Sequence, residues 1–334
     1  MTTNSLLGSY ADDTRLWRVI HGIGDQKLLQ DDLQVLYDWA EENNASYNDD
    51  KFEQTTHGPE NSRIYYSPSG QAISSKETVK DLGVYISGCG NFNAHIAHCV
   101  KSAMQTSAWI LRTFLSRQKM VIKVLLQSLV VPRVEYASPV WCPFDKAHIN
   151  MLENVQKRFT SRIAEYNTWD EESGRPICTT NYWERLADLK IYSLERRRER
   201  FLILYAYRVI IGMINFPWFA AYVERGGILL RARYNRRAPD RVKKSRHASF
   251  FYKAPQLYNL LPPSLRVFEA IDSPTQENID KFKEKLDKFL EQIPDQPDAE
   301  KLKRPATTNS LICQVPMYKK QHPEDFRAVD NGVL

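Results

Sequence analysis

The chain has 334 residues, 43% hydrophobic and 26% charged, values ordinary for a globular protein with room for two or three domains. The net charge of +6 hides an asymmetry. Residues 1–60 carry four Lys/Arg against twelve Asp/Glu, net −8, whereas residues 195–246 carry fourteen against four, net +10. A basic block of that size suggests a polyanionic partner, and a solvated helix face accounts for part of it. The five cysteines (Cys89, Cys99, Cys142, Cys178, Cys313) are scattered and lack paired spacing. They argue against a disulfide framework and for reduced thiols in a nuclear or cytoplasmic protein without a secretory partner; no signal peptide opens the sequence.

The first elements are a short strand over Leu6–Ser9, a tight acidic turn Tyr10-Ala11-Asp12-Asp13, and a second strand rich in large and β-branched residues to Ile20. Two adjacent carboxylates at a hairpin tip repel each other, and hard divalent cations relieve that repulsion. Such a tip suits a polymerase that holds a nucleotide through two metal ions for in-line attack. It also suits a plain turn that uses Asp for its tolerance of turn geometry. Leu29, Leu33, Leu36, Tyr37 and Ala40 mark one face of a helix over 28–41. A turn-rich run to Phe52 follows. Residues 54–77 are polar and broken by Gly58-Pro59 and Pro68-Ser69-Gly70, with a strand at Ile64–Tyr66. Strand character returns at Leu82–Ile86.

From Phe92 the pattern is helical. A long helix carries Phe92, Ile96, Val100, Ala103 and Ile110 inward, and a second runs from about Ser116 to Val130 and stops before Pro132. Ile149–Ile163 reads as a third, with Lys157, Arg158 and Arg162 as a basic stripe. Residues 166–181 read as a polar loop and Trp183–Gly212 as two helical pieces. Phe201–Val223 imitates a membrane span, but Arg208 near its centre costs about 2.5–3.5 kcal/mol on insertion. It reads as a buried helix, and no membrane partner is expected. Residues 226–248 are a basic loop, Phe250–Leu265 is short and aromatic, and Gln276–Ile293 is an amphipathic helix. Beyond Pro294 the repeated prolines and missing periodicity predict disorder. His95, His98 and Cys99 share a helix face but lack a fourth ligand, so a packed face is the better reading than zinc.

Several segments occur in the order found in one family. YADDTRL, DLQVLYDWAEENNASYNDDKFEQ, VKDLGVYISGCGNFNAHI, LLQSLVVPRVEYASPVWCPF, INMLENVQKRFTSRI and YWERLADLKIYSLERRRER together resemble the C-terminal part of a non-LTR (LINE-type, jockey-like) retrotransposon reverse transcriptase. The match runs over about residues 6–293. It implies an α+β, mainly helical fold: a partial palm over 1–88, from the YADD hairpin to the primer grip, a helical thumb and connection over 89–165, a helical C-terminal region over 166–293, and a disordered tail over 294–334.

The resemblance also implies roles. Asp12 and Asp13 match the carboxylates that bind Mg2+. Tyr10 matches a residue beside the primer end, or packs on the palm. Lys51 matches a lysine proposed as general acid toward pyrophosphate, or is an exposed loop lysine; the adjacent Phe52 departs from the family's small residue. Gly83 matches the primer-grip turn, or is an ordinary turn glycine. Arg112, Arg117, Lys119, Lys123, Arg158 and Arg162 would contact phosphates of an RNA template and a DNA primer. Arg196, Arg197 and Arg198 match an arginine run for which the residues themselves suggest no role beyond pairing with Glu195 and Glu199. In the family a further palm carboxylate and the fingers precede the YADD hairpin. This chain alone is therefore expected to be inactive as a polymerase, and a catalytically dead nucleic-acid-binding or interaction protein is the alternative.

Overall fold

The computed structural model describes residues 5–45, 47–57, 64–67, 69–143, 145–215, 250–266, 271–297 and 309–326. The fold is α+β and mainly helical, with small two-stranded sheets. It divides into two compact units, residues 1–95 and 96–334.

In the first unit, β1 (Leu6–Tyr10) and β2 (Asp13–Trp17) form an antiparallel hairpin in which Tyr10 faces Asp13 and Leu6 faces Trp17. Helix α1 (Ile23–Glu42) follows and buries Leu33, Leu36 and Ala40, three of the five positions that its period marked. Asp32 is buried among them because its carboxylate accepts the Ser5 backbone N–H at 2.7 Å. The expected strand at 64–66 is reduced to one bridge between Tyr66 and Ala72. Strands β3 (Glu53–Gln54) and β4 (Ser74–Ser75) make a two-residue parallel pair, and β5 (Thr78–Asp81) with β6 (Val84–Ser87) a second hairpin.

The second unit begins within α2 (Asn93–Thr113). Helix α3 (Lys119–Leu125) widens into i→i+5 turns over Leu126–Val130 and continues as α4 (Val131–Glu135). The expected stop before Pro132 therefore does not occur. A proline ring clashes with the carbonyl four residues back, and the widened turn before it relieves that clash. Next come α5 (Ser138–Trp141) and α6 (Lys146–Thr160), which starts on an Asp145 cap and buries Ile149, Leu152, Val155 and Phe159. The expected polar loop at 166–181 contains a hairpin instead, β7 (Asn167–Asp170) with β8 (Arg175–Cys178). Its outward side chains are polar or exposed, so alternation is absent from its sequence.

Helix α7 (Tyr182–Leu189) carries a capping box from Asn181 and Glu184, and α8 (Leu194–Ile210) a Ser193 cap, which accounts for the two helical pieces expected there. Helix α9 (Phe250–Asn259), α10 (Gln276–Glu291) and α11 (Leu311–Gln321) pack with α8 around one core. Leu202, Ala206, Tyr207, Leu257, Tyr258, Phe282, Leu286, Leu290, Leu311 and Val315 meet there. The Tyr207 and Phe282 rings stack at 3.9 Å.

Helix α11 corrects the expectation of disorder beyond Pro294, for residues 309–326. Ser310 caps it, and Leu311, Val315 and Tyr318 at offsets of 0, 4 and 7 bury a face despite Pro316. The expected basic loop at 226–248 and the last part of the membrane-like segment lie outside the described residues. No described helix is long and apolar enough to cross a membrane. The expected boundary at 165/166 falls inside the second unit, where Arg185 of α7 donates to Thr160 Oγ1 and to the Lys157 carbonyl of α6.

Candidate metal-binding hairpin and nucleic-acid contacts

In the first unit the Ala11-Asp12 turn closes the β1–β2 hairpin, with Ala11 at φ 53°. Tyr10, Asp12 and Asp13 are all exposed. The side chains of Asp12 and Asp13 have no hydrogen-bond or ion partner among the described residues. Two free carboxylates thus stand at adjacent positions, Asp12 in the two-residue turn and Asp13 at the start of β2. No group of three His, Cys, Asp or Glu side chains fit to hold a metal ion occurs among the described residues. The hairpin itself is open: Leu6, Leu7, Trp17 and Val19 are exposed, and neither outer strand edge is paired among the described residues. Gly8 lets the Trp17 ring lie across the strand, since a Cβ there would sit 3.1 Å from the indole.

Arg15 of β2 reaches Asp81 of β5 at 2.5 Å, which joins the acidic hairpin to the β5–β6 hairpin. An ion pair this exposed is worth about 0–1 kcal/mol, so it orients more than it stabilises. Leu82 and Gly83 form the β5–β6 turn at φ 43° and 83°. Positive φ at both central residues is the pattern of a type I′ hairpin turn and accounts for a glycine there. A close backbone approach is found at Gly88, whose added Cβ would lie 2.6 Å from the Thr56 carbonyl oxygen.

Lys51 ends a short 3-10 turn, Asp49–Lys51, and is exposed. Phe52 stacks on Tyr37 of α1 at 5.6 Å and meets Tyr47 edge-on at 6.0 Å. The aromatic residue in place of a small one is therefore an anchor for this turn. Tyr37 also donates to Asp49, and Asn48 caps the turn through the Asp50 N–H. No hydrogen bond, ion pair or ring contact among the described residues joins Lys51 to the Asp12–Asp13 hairpin.

In the second unit the six basic residues expected to meet phosphates separate into two sets. Arg117 donates to the carbonyls of Leu111, Phe114 and Ser116, so it closes the C-terminus of α2. Lys119 pairs with Asp188 at 2.5 Å and lies over the Tyr166 ring at 5.4 Å. Both cations are occupied by the fold. Arg112, Lys123, Arg158 and Arg162 have no ion partner among the described residues, and all but the half-buried Lys123 are exposed. Position after a helix end was the available sign for Arg117, whereas the partner of Lys119 is distant in sequence.

The arginine run is interior. Arg196 is fully buried and donates to the carbonyls of Ile293 at 3.3 Å and Pro294 at 2.9 Å; its Nε lies 3.9 Å from Asp295. Asp295 in turn accepts from the Ser193 N–H and hydroxyl and from Asn309. Arg197 forms a two-pronged pair with Glu135, and Arg200 one with Asp287. Arg198 is also buried. Glu199, expected to pair within the run, accepts from Ser310 and Leu311 at the start of α11 and from Lys253 at 3.3 Å. Glu153 of α6 accepts the Leu194 and Glu195 N–H groups and covers the N-terminus of α8. Burial pushes the Glu153 carboxyl upward. Burial, with Glu199 adding repulsion, pushes Glu195 up to about 7 against the pull of Lys253 and Arg198.

Comparison with protein-family models, with curated proteins and with solved structures finds no match for this chain.

Proposed function

We propose that the chain is the distal part of an RNA-directed DNA polymerase of the non-LTR retrotransposon kind. The observation that carries the reading is the acidic turn: Asp12 and Asp13 stand exposed and unpaired at the tip of a tight hairpin, inside a sequence whose other segments follow the family's order. Mg2+ held by one or two carboxylates keeps its other positions for substrate phosphates and water, which is what this turn offers. When bound, the metal would stabilise the charge of a transferring phosphoryl group. Asp12 and Asp13 would hold it, Tyr10 would lie against the primer end, and Lys51 would donate a proton toward pyrophosphate. The template and primer would meet Arg112, Lys123, Arg158 and Arg162 through their phosphates, without reading sequence.

This chain alone is expected to be inactive, so the test uses the native gene product: an antibody against residues 276–293 reads its size, and primer extension on an RNA template compares it with its Asp12→Asn, Asp13→Asn variant. A product well above 38.9 kDa that extends a primer only with both aspartates supports the proposal, whereas equal extension by both forms overturns it. A second reading is favoured by the exposed cations: a nucleic-acid-binding protein without catalysis. Under it, the native product extends no primer with or without the two aspartates, yet binds RNA with affinity that falls steeply with salt.

A further inference from the structure

A polar concavity of about 450 Å3 lies between α6 and the start of α7. Its size falls in the roughly 300–1,000 Å3 span of small-ligand sites. Asn150, Asn154 and Lys157 line one side, at offsets of 0, 4 and 7 along α6, so they share a helix face. Thr180, Asn181 and Trp183 line the other. Arg185 also borders it, but its guanidinium is spent on Thr160, Cys178, Thr180 and Lys157 and holds the wall in place. Glu153 is turned to the α8 N-terminus and hydrogen-bonded by Tyr182. The wall thus presents amides, a hydroxyl, one cation and one half-buried indole.

That combination suits a planar ligand with hydrogen-bonding edges. The side-chain oxygen of Asn181 is used as the α7 cap, accepting the Trp183 N–H at 3.3 Å. Asn150 and Asn154 are exposed and carry both donor and acceptor groups. The Trp183 ring is held by Tyr182, centroids 4.9 Å apart. Beyond the concavity, Lys157 and Arg158 in the last turn of α6 and Arg162 just after it are exposed and free of ion partners among the described residues. A basic rail beside a polar, aromatic recess matches the needs of a strand whose bases are unstacked, with phosphates on the rail and a base on the ring.

We infer that this concavity is a base-binding site for single-stranded nucleic acid: Trp183 stacks one unpaired base, Asn150 and Asn154 hydrogen-bond its edge, and Lys157 neutralises an adjoining phosphate. The inference rests on the nucleic-acid reading above and adds a specific place and chemistry to it.

The test uses the full chain and a fluorescein-labelled oligouridylate of about twelve nucleotides, within the range of single-strand site sizes. Anisotropy titrations at several salt concentrations compare the wild type with Trp183→Ala, Trp183→Phe and Lys157→Ala. Loss of stacking in Trp183→Ala is expected to weaken binding about 5- to 150-fold with the salt slope unchanged, and Trp183→Phe to keep most of the affinity. Lys157→Ala should lower the salt slope by about 0.7. A base-free abasic strand should bind the wild type more weakly than oligouridylate and should not distinguish it from Trp183→Ala. Photocrosslinking of a 5-bromouridine strand to the wild type, which needs no variant to fold, should label the peptide containing Trp183. If Trp183→Ala binds oligouridylate like the wild type, or crosslinks fall only elsewhere, the base site is refuted while strand binding stands. If the wild type binds no strand at all, both readings fall.

Discussion

Arg196→Ala separates an interior arginine run from a nucleic-acid-binding one. The guanidinium is fully buried and donates to two backbone carbonyls that end the α10 region, beside Asp295. Truncation leaves those carbonyls unpaired and removes the cation nearest a carboxylate that is itself mostly buried. Breaking a buried charge pair costs about 3–5 kcal/mol, a large part of the roughly 5–15 kcal/mol that holds a domain folded. Asp295 keeps its bonds from Ser193 and Asn309, so the lower part of that range is expected. With a urea dependence of about 2–3 kcal/mol per molar, the unfolding midpoint should fall by about 1–2 M. Urea titrations followed by circular dichroism measure this directly. Arg196→Lys should recover little, because an ammonium cannot reproduce the fork that reaches both carbonyls. An unchanged midpoint together with weakened, less salt-dependent RNA binding would refute the reasoning and return the run to the nucleic-acid surface.

Three further outcomes follow from the same structure. Glu195 ionises at about pH 7 when folded against the ordinary 4.5, so folding binds a proton between these values and stability falls as pH rises from about 4.5 to 7. Glu195→Gln should flatten that slope and gain stability of the order of 3 kcal/mol above pH 7, read from denaturant melts at several pH values; an unaltered slope would show that the carboxylate ionises freely in the fold. Gly88→Ala should destabilise the first unit by about 1–3 kcal/mol, since its Cβ meets a backbone oxygen that has no rotamer to yield; amide exchange across residues 78–88 would reveal it, and unchanged protection would argue against the tight approach. Asp12→Asn with Asp13→Asn should leave stability within about 0.5 kcal/mol, both side chains being exposed and without a partner among the described residues, so loss of primer extension in the native product reads on chemistry; a large drop in melting temperature would mean that the turn needs its charges.

Legibility differed by kind of feature. The acidic hairpin was readable because alternation and turn residues specify a local structure of a dozen residues; β1 ends one residue beyond the expected strand, and β2 stops three residues short of the expected Ile20. The long amphipathic helices were readable for the same local reason: α6 and α10 bury the residues that their period marked. The β7–β8 hairpin was not, because both strands are mostly exposed and their composition is that of a loop. Helix α11 was hidden by its proline and by a proline-rich setting, although Leu311, Val315 and Tyr318 carry a helical spacing.

For the candidate sites, sequence by itself determined which side chains carry charge and which neighbours share a turn or a helix face: Asp12 beside Asp13, Asn150 with Asn154 and Lys157. Tertiary structure decided which of those charges face water. Arg117, Lys119 and Arg196 are indistinguishable in composition from Arg158 and Arg162, yet the first three are held by carbonyls and carboxylates of the fold and the last two are not. The reason is physical: a cation's availability depends on the partners that surround it in space. Glu135, Asp188, Asp287 and Asp295 are brought to their cations from 62 to 99 residues away, by helix packing that no local pattern encodes.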